Sequence, residues 1–143
     1  ISQASKAYFG LKDFQQVKII QKMSKDLNFP VKIIACPLIR QKDGLALSSR
    51  NIYLNAQEKN DALIINKTLK QAAQNFKIKS LDKVLEIAKD SLAKIPNSQI
   101  DYLEIRDFDD LSPANKKSKK AAMLIAIKIG KTRLIDNIIM EKK

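Results

Sequence analysis

The hydrophobic period of the chain changes twice within its first 36 residues, and this change limits the possible folds more than any other feature. Apolar Tyr8 and Phe9 are followed by Gly10 and then by Phe14, Val17, Ile20, Met23 and Leu27 at steps of three and four, the spacing of an amphipathic helix. Asp13 stands where an N-cap belongs, and Gln16 three residues on completes a capping-box pattern. Pro30 disfavours helical geometry at the residue before it, so the helix is expected to stop near Asn28. Val31, Ile33, Ile34, Ala35 and Cys36 then form a short apolar run of the kind found in strands buried on both faces. Strand, helix and strand within about 35 residues predict a βαβ unit with parallel strands.

From residue 40 to 51 no period is sustained, and Asp43 and Gly44 mark a loop at the carboxyl end of the second strand. Asn55 with Glu58 is a second capping box, opening a helix to about Phe76 whose inner face carries Ala62, Ile65, Leu69, Ala72, Ala73 and Phe76. Ser80 caps a third helix with Leu81, Val84, Leu85, Ala88, Leu92 and Ile95 on its stripe. After Pro96 the period shortens to two: Asp101 to Arg106 alternates, as do Met123, Ile125, Ile127 and Ile129. Gly130 and Lys131 make a tight turn into a last strand from Thr132 to Met140, so the final two strands pair antiparallel. The expected architecture is α/β: a βαβ piece from the end of a Rossmann-like parallel sheet over residues 1–48, then a small α+β domain over residues 49–143 with two helices and a three-stranded antiparallel sheet.

Composition narrows the chemistry. The 143 residues hold 27 Lys+Arg against 15 Asp+Glu, a formal charge of +12, with one Cys and no His. A single thiol rules out a disulfide framework, and the lack of imidazole removes serine triads and most transition-metal sites. Catalysis by this chain would have to use Lys, Arg, Ser, Gln and carboxylates. The longest wholly apolar run, residues 121–127, is far shorter than the ~20 residues needed to span a bilayer. No N-terminal stretch reads as a secretion signal, so the expected location is the cytoplasm. The chain opens at Ile1 with no initiator Met, which suggests a fragment. Cys36 is expected to be a packed core thiol, and Tyr102 and Arg106 to be structural residues on an exposed strand face.

Two loops follow the two parallel strands, at the sheet edge where open α/β folds bind ligands. In the first, Gly10 permits close approach of the backbone, Lys12 supplies a point charge, and the helix opening after Asp13 offers free N–H groups. In the second, Ser48 and Ser49 place two hydroxyls beside the Arg50 guanidinium. Together they describe an anion site suited to a polyphosphate. The bland alternative is that Asp13 and Gln16 only cap a helix, Ser48 and Ser49 satisfy turn backbone, and Arg50 is a surface charge. The run Lys116, Lys117, Lys119 and Lys120 supplies a second functional reading, a basic nucleic-acid-binding module, against the simpler one of a solvated loop.

The run Phe9-Gly10-Leu11-Lys12-Asp13-Phe14-Gln15-Gln16 is followed by Asp43-Gly44-Leu45-Ala46-Leu47-Ser48-Ser49-Arg50-Asn51-Ile52-Tyr53-Leu54. Together with Asp101-Tyr102-Leu103-Glu104-Ile105-Arg106-Asp107 and Thr132-Arg133-Leu134-Ile135-Asp136-Asn137, these segments resemble the pantothenate synthetase (pantoate–beta-alanine ligase) family along essentially the whole chain. The resemblance implies a ligase of the nucleotidyltransferase superfamily that uses ATP, with magnesium, to join pantoate and beta-alanine through a pantoyl adenylate. It implies that Gly10, Leu11, Lys12 and Asp13 line the ATP site with Lys12 on the phosphates, and that Gln16 binds pantoate. Ile39 would contact the adenine side through its backbone, and Leu47, Ser48, Ser49 and Arg50 would match a mobile signature loop. Lys12, Ser48, Ser49 and Arg50 are the implied catalytic residues, and no residue is implied as a metal ligand. Leu11 departs from the family, which usually has an acidic residue there.

The resemblance further implies that this is the carboxyl-terminal half of such an enzyme. A histidine-rich N-terminal half would be its missing partner, the whole enzyme a homodimer with no nucleic-acid or membrane partner, and the chain inactive alone. The parallel strands would then present open edges and uncovered apolar faces, and self-association through residues 1–48 is expected.

Overall fold

The computed structural model describes residues 3–142. β1 (Lys6–Gly10) and β2 (Lys32–Cys36) pair in parallel with Lys6 beside Lys32 and Gly10 beside Cys36, and α1 (Phe14–Asp26) crosses between them. The expected βαβ unit is therefore present. Asp13 caps α1 by accepting from the Gln16 backbone N–H at 3.1 Å, although the reciprocal half of the box is not formed. The helix ends at Asp26, and Asn28 takes a left-handed conformation (φ 51°) ahead of Pro30.

The second piece begins with a 3₁₀ turn (Ser49–Tyr53) and α2 (Ala56–Asn75), which opens on a complete Asn55–Glu58 capping box. α3 (Leu81–Leu92) follows, capped by Ser80. β3 (Ser98–Asp107), β4 (Lys120–Ile129) and β5 (Thr132–Glu141) form an antiparallel sheet in that order, with Gly130 (φ 54°) in the turn between the last two.

β4 is the centre of the molecule, because both of its faces are covered. Met123, Ile125, Ile127 and Ile129 face α2 and α3, joining Ile65, Leu69, Phe76, Val84 and Leu92 in the main core. On the opposite face Ala122 and Leu124 meet Phe14 of α1, with Leu11, Tyr102 and Phe108 around them. The Phe14 and Phe108 rings sit 5.5 Å apart in a tilted pair. The expected alternation of β4 with smaller or polar neighbours thus has a cause: its small residues receive the first piece of the fold.

Four expectations of burial differ in the structure. β2 is not buried on both faces: Lys32 and Ala35 are exposed and Ile33, Ile34 and Cys36 are half-buried, because α1 covers only one side of a two-stranded sheet. For the same reason Cys36 is not a fully packed core thiol. On α1 only the start of the apolar stripe is used: Phe14 and Val17 are buried, while Met23 and Leu27 lie open, since the packing surface offered by β4 ends after two turns. Tyr102, expected on an exposed face, is half-buried against the second cluster and hydrogen-bonds Gln15 Oε1 at 3.4 Å.

Candidate active site

The first loop leaves β1 at Gly10 and is fixed at once, the Leu11 N–H donating to the Cys36 carbonyl at 2.8 Å. The Leu11 side chain packs in the second cluster, so the position that departs from the family serves here as apolar scaffold. Lys12 is half-buried and makes no ion pair among the described residues. Its pKa is lowered, first by burial; Asp136 and Asp13 push it back up, and Arg50 pushes it down. The last of these shows that the two loops bring their cations within electrostatic reach of each other. Because the Asp13 carboxylate already takes the Gln16 N–H, the helix start offers only its first amides to a ligand. Gln16 points to solvent.

The second loop is more ordered than its sequence predicts. Arg40 and Ala46 form a β-bridge, Gln41 donates to Leu45 O, and Leu47 donates to Ile39 O at 3.0 Å, closing residues 39–47 into a small hairpin. Ile39 and Leu47 are exposed at its mouth. Ser48 caps the 3₁₀ turn by accepting from the Arg50 N–H at 3.2 Å, which leaves its hydroxyl proton free to donate outward. Ser49 and Arg50 are exposed, and Arg50 Nη1 donates to the Arg133 carbonyl at 3.4 Å. Asn51, buried, holds the Ala46 carbonyl at 3.0 Å.

Sequence reasoning missed the residues that bring these loops together, all supplied by β5. Arg40 makes a two-pronged pair with Asp136 (2.7 and 2.9 Å) and also donates to Gly44 O. The Asn137 amide donates to Leu11 O at 2.7 Å and to Lys12 O at 2.9 Å. Arg133 pairs with Asp101 at 2.6 Å and lies 6.0 Å from the centre of the Tyr102 ring. The only signal in the sequence was the Thr132–Asn137 motif itself, since the contacts span 96 to 126 residues.

Lys12, Asp13, Tyr102, Asp136 and Asn137 line a tight crevice, and Arg50, Tyr53, Lys131 and Arg133 line a separate cavity of about 510 Å³. Another cavity, about 560 Å³, lies between α3 and β3 around Leu81, Leu103 and Pro113, and neither Lys12 nor Arg50 reaches it. The lysine run is not uniformly exposed. Lys116, Lys117 and Lys119 are exposed, Ser118 is buried on Asp107, and the Lys120 ammonium sits 4.3 Å from the Phe108 ring centre. The geometry therefore gathers two cations unpaired among the described residues, an outward hydroxyl and free helix-start amides at one edge, an arrangement that can bind and polarise a polyanion.

Comparison with known proteins gives the family. A family model described as Pantoate-beta-alanine ligase matches residues 1–139. A pantothenate synthetase from Endomicrobium trichonymphae is 58% identical over 142 residues, which is 99% of this chain and 50% of that protein. One from Clostridium botulinum is 50% identical over 135 residues, covering 93% and 48%. The crystal structure of pantothenate synthetase from Thermus thermophilus superposes with a TM-score of 0.87 at 34% identity, covering 94% of this chain and 49% of that one. A pantoate-beta-alanine ligase from Francisella tularensis, complexed with beta-gamma ATP and beta-alanine, superposes with a TM-score of 0.62 at 30% identity, covering 94% and 43%. The chain spans about half the length of these relatives, and it belongs to the pantoate–beta-alanine ligase family.

Proposed function

We propose that this chain supplies the phosphate-gripping loops and the closing α+β domain of an enzyme that condenses pantoate with beta-alanine at the expense of ATP, and that it forms the C-terminal half of that enzyme. The observation that carries the reading is that β5 holds both cation-bearing loops, Asn137 bonding the Lys12 carbonyl and the Arg133 carbonyl accepting from Arg50, with neither cation in an ion pair among the described residues. In the proposed first step a pantoate carboxylate oxygen attacks the α-phosphorus of ATP, forming pantoyl adenylate and releasing pyrophosphate. In the second the beta-alanine amine attacks the acyl carbon, the amine proton leaves, and AMP departs to give pantothenate.

Lys12, Arg50 and the Ser48 and Ser49 hydroxyls meet the charge that gathers on the phosphoryl oxygens. Fixed cations and donors of this kind lower the barrier without a titrating base, which fits a chain that has no histidine. Gly10, Leu11 and Asp13 line the nucleotide through backbone, as do Ile39 and Leu47 on the second loop. Gln16, exposed at the first turn of α1, is free to reach pantoate.

Magnesium bound with the nucleotide would neutralise phosphate charge. Among the described residues no three carboxylate or thiol groups converge to cage an ion, and Asp13 and Asp136 are engaged by Gln16 and Arg40. That donor set suits an ion carried mainly on the phosphates. The reading includes a cytoplasmic homodimer, and no described helix is long and apolar enough to cross a membrane.

AMP release from ATP, pantoate and beta-alanine tests the proposal, run on this chain, on the full-length gene product and on Lys12→Ala in each. Turnover by the full-length protein that falls at least 100-fold in Lys12→Ala supports it; absence of turnover from both chains refutes it. Turnover by the 143-residue chain alone would show that the half is competent by itself.

A further inference from the structure

Asp136 and Asn137 are neighbours on β5, and successive strand residues point to opposite faces of a sheet. Asp136 lies across from Ile125, whose side chain belongs to the main core, and Asn137 lies across from Leu124 of the second cluster. One strand position therefore reaches both sides of the sheet. Through Asp136 it grips Arg40, at the base of the 39–47 hairpin, and through Asn137 it grips the carbonyls of Leu11 and Lys12.

We propose that Asp136 and Asn137 are positioning residues that lock the Lys12 loop and the hairpin leading to Arg50 in one mutual register, so that both cations meet the same polyphosphate. This deepens the functional reading above and rests on it for the identity of the ligand.

The bonding is matched to that task. Arg40 Nη1 serves Asp136 and Gly44 O, and Nη2 serves Asp136 and, at 3.4 Å, Asn137 O. Both amide hydrogens of Asn137 are used, one on each carbonyl flanking the Leu11–Lys12 peptide. Asp136 and Asn137 are each only 6% exposed, so these bonds are not diluted by water. The hairpin is internally bonded, and Arg40 fastens it to β5. Neither β5 residue is needed as a ligand contact for this role.

Three charged groups act on Lys12, namely Asp136, Asp13 and Arg50, while burial by the loop itself depresses its pKa. The two variants together give a readout that simple loosening of the fold cannot imitate, because loosening would raise the midpoint in both. Asp136→Asn removes a carboxylate that favours the ammonium and leaves the Arg40 charge unmatched, so the Lys12 titration midpoint moves down. Asn137→Ala removes no charge but frees the loop to hydrate, so the midpoint moves up towards that of an ordinary lysine.

The experiment follows the pH profile of Lys12 modification by an amine-directed acylating reagent, and amide hydrogen exchange at residues 10–14 and 40–47, in the 143-residue chain and both variants. Opposite midpoint shifts, with exchange at least tenfold faster at residues 10–14 in Asn137→Ala, are expected. The same midpoint and exchange as the parent chain in Asn137→Ala, or upward shifts in both variants, would overturn the proposal. Asn137→Ala breaks two neutral hydrogen bonds at the edge strand, and should Asp136→Asn fail to fold, faster exchange confined to residues 10–14 supports the proposal while equally faster exchange through β3, β4 and β5 overturns it. Titration with inorganic pyrophosphate separates the two layers. A parent chain that binds it and loses about tenfold affinity in Asn137→Ala supports both. A parent chain that binds none counts against the polyphosphate reading, while the exchange and titration results still decide the positioning role.

Discussion

Two single residues show what the site costs the fold. Burial of the Lys12 ammonium disfavours its charged form, so its folded pKa lies below the unfolded value of about 10.5. Between the lowered value and 10.5 the unfolded chain binds more protons than the folded one, and stability contributed at this position therefore rises with pH across that window. Lys12→Met should be more stable than the parent at pH 7, with the gap narrowing as the pH rises through the lowered pKa; urea denaturation of both chains from about pH 7 to about pH 10.5 measures it. A gap that widens with pH would show that Lys12 is stabilised by its carboxylate neighbours more than it is penalised by burial. Gly44 is the second case. It sits at φ 98°, and a Cβ there would press on Asn66 Nδ2, a buried amide whose Oδ1 has no partner. Gly44→Ala should cost about 1–3 kcal/mol through backbone strain and displacement of Asn66, the order expected for a non-glycine residue forced into that region. Because the Gly44 carbonyl accepts from Arg40, the same variant should weaken pyrophosphate binding as well, which isothermal titration would detect.

At the scale of elements, whatever was legible in the sequence was local. The Asn55–Glu58 capping box was readable because its partners are three residues apart, and Asn55→Ala should cost about 1 kcal/mol, or roughly 3 °C in melting temperature by calorimetry. The three helices, the parallel pair and the β4–β5 hairpin follow from period, caps and Gly130 in the same way. Lys12 was legible as a loop residue because it lies two residues beyond the end of β1, and Ser48 to Arg50 because they follow the Asp43–Gly44 turn. What stayed hidden was long-range. Nothing in the pattern around Phe14 indicates that Ala122 and Leu124 supply its floor, and nothing in an alternating strand marks Tyr102 as facing Gln15 instead of solvent. Asp136 and Asn137 are adjacent polar residues within the last strand, and nothing local to them shows that between them they tie together two loops that lie about 100 residues earlier in the chain.

The whole molecule is held together by one strand with two packed faces, and the two faces differ in how completely they are closed. On the α2 and α3 side the core runs without interruption from Leu45 to Met140. On the other side the cover is Phe14, Val17 and the rings around them, and beyond these the first piece stands open: Tyr8 is 65% exposed, Ile19 60%, Leu27 59% and Phe29 50%. Large apolar side chains grouped on one two-stranded sheet and one helix form a surface that water penalises, and strand edges beside them can pair with another chain. The expected outcome is concentration-dependent association of the 143-residue chain, visible as a sedimentation coefficient that rises between low and high micromolar loading. Ile19→Glu combined with Leu27→Lys should suppress it while leaving the melting temperature within a few degrees, because neither side chain belongs to a buried cluster. A single monomeric species at several hundred micromolar would show that this face is stable in water on its own. The β5 network makes the prediction sharper. Arg40, Leu11 and Lys12 are fastened to the well-packed domain, so association through α1 and β1 should leave the Lys12 and Arg50 edge accessible, and pyrophosphate affinity should not change with protein concentration.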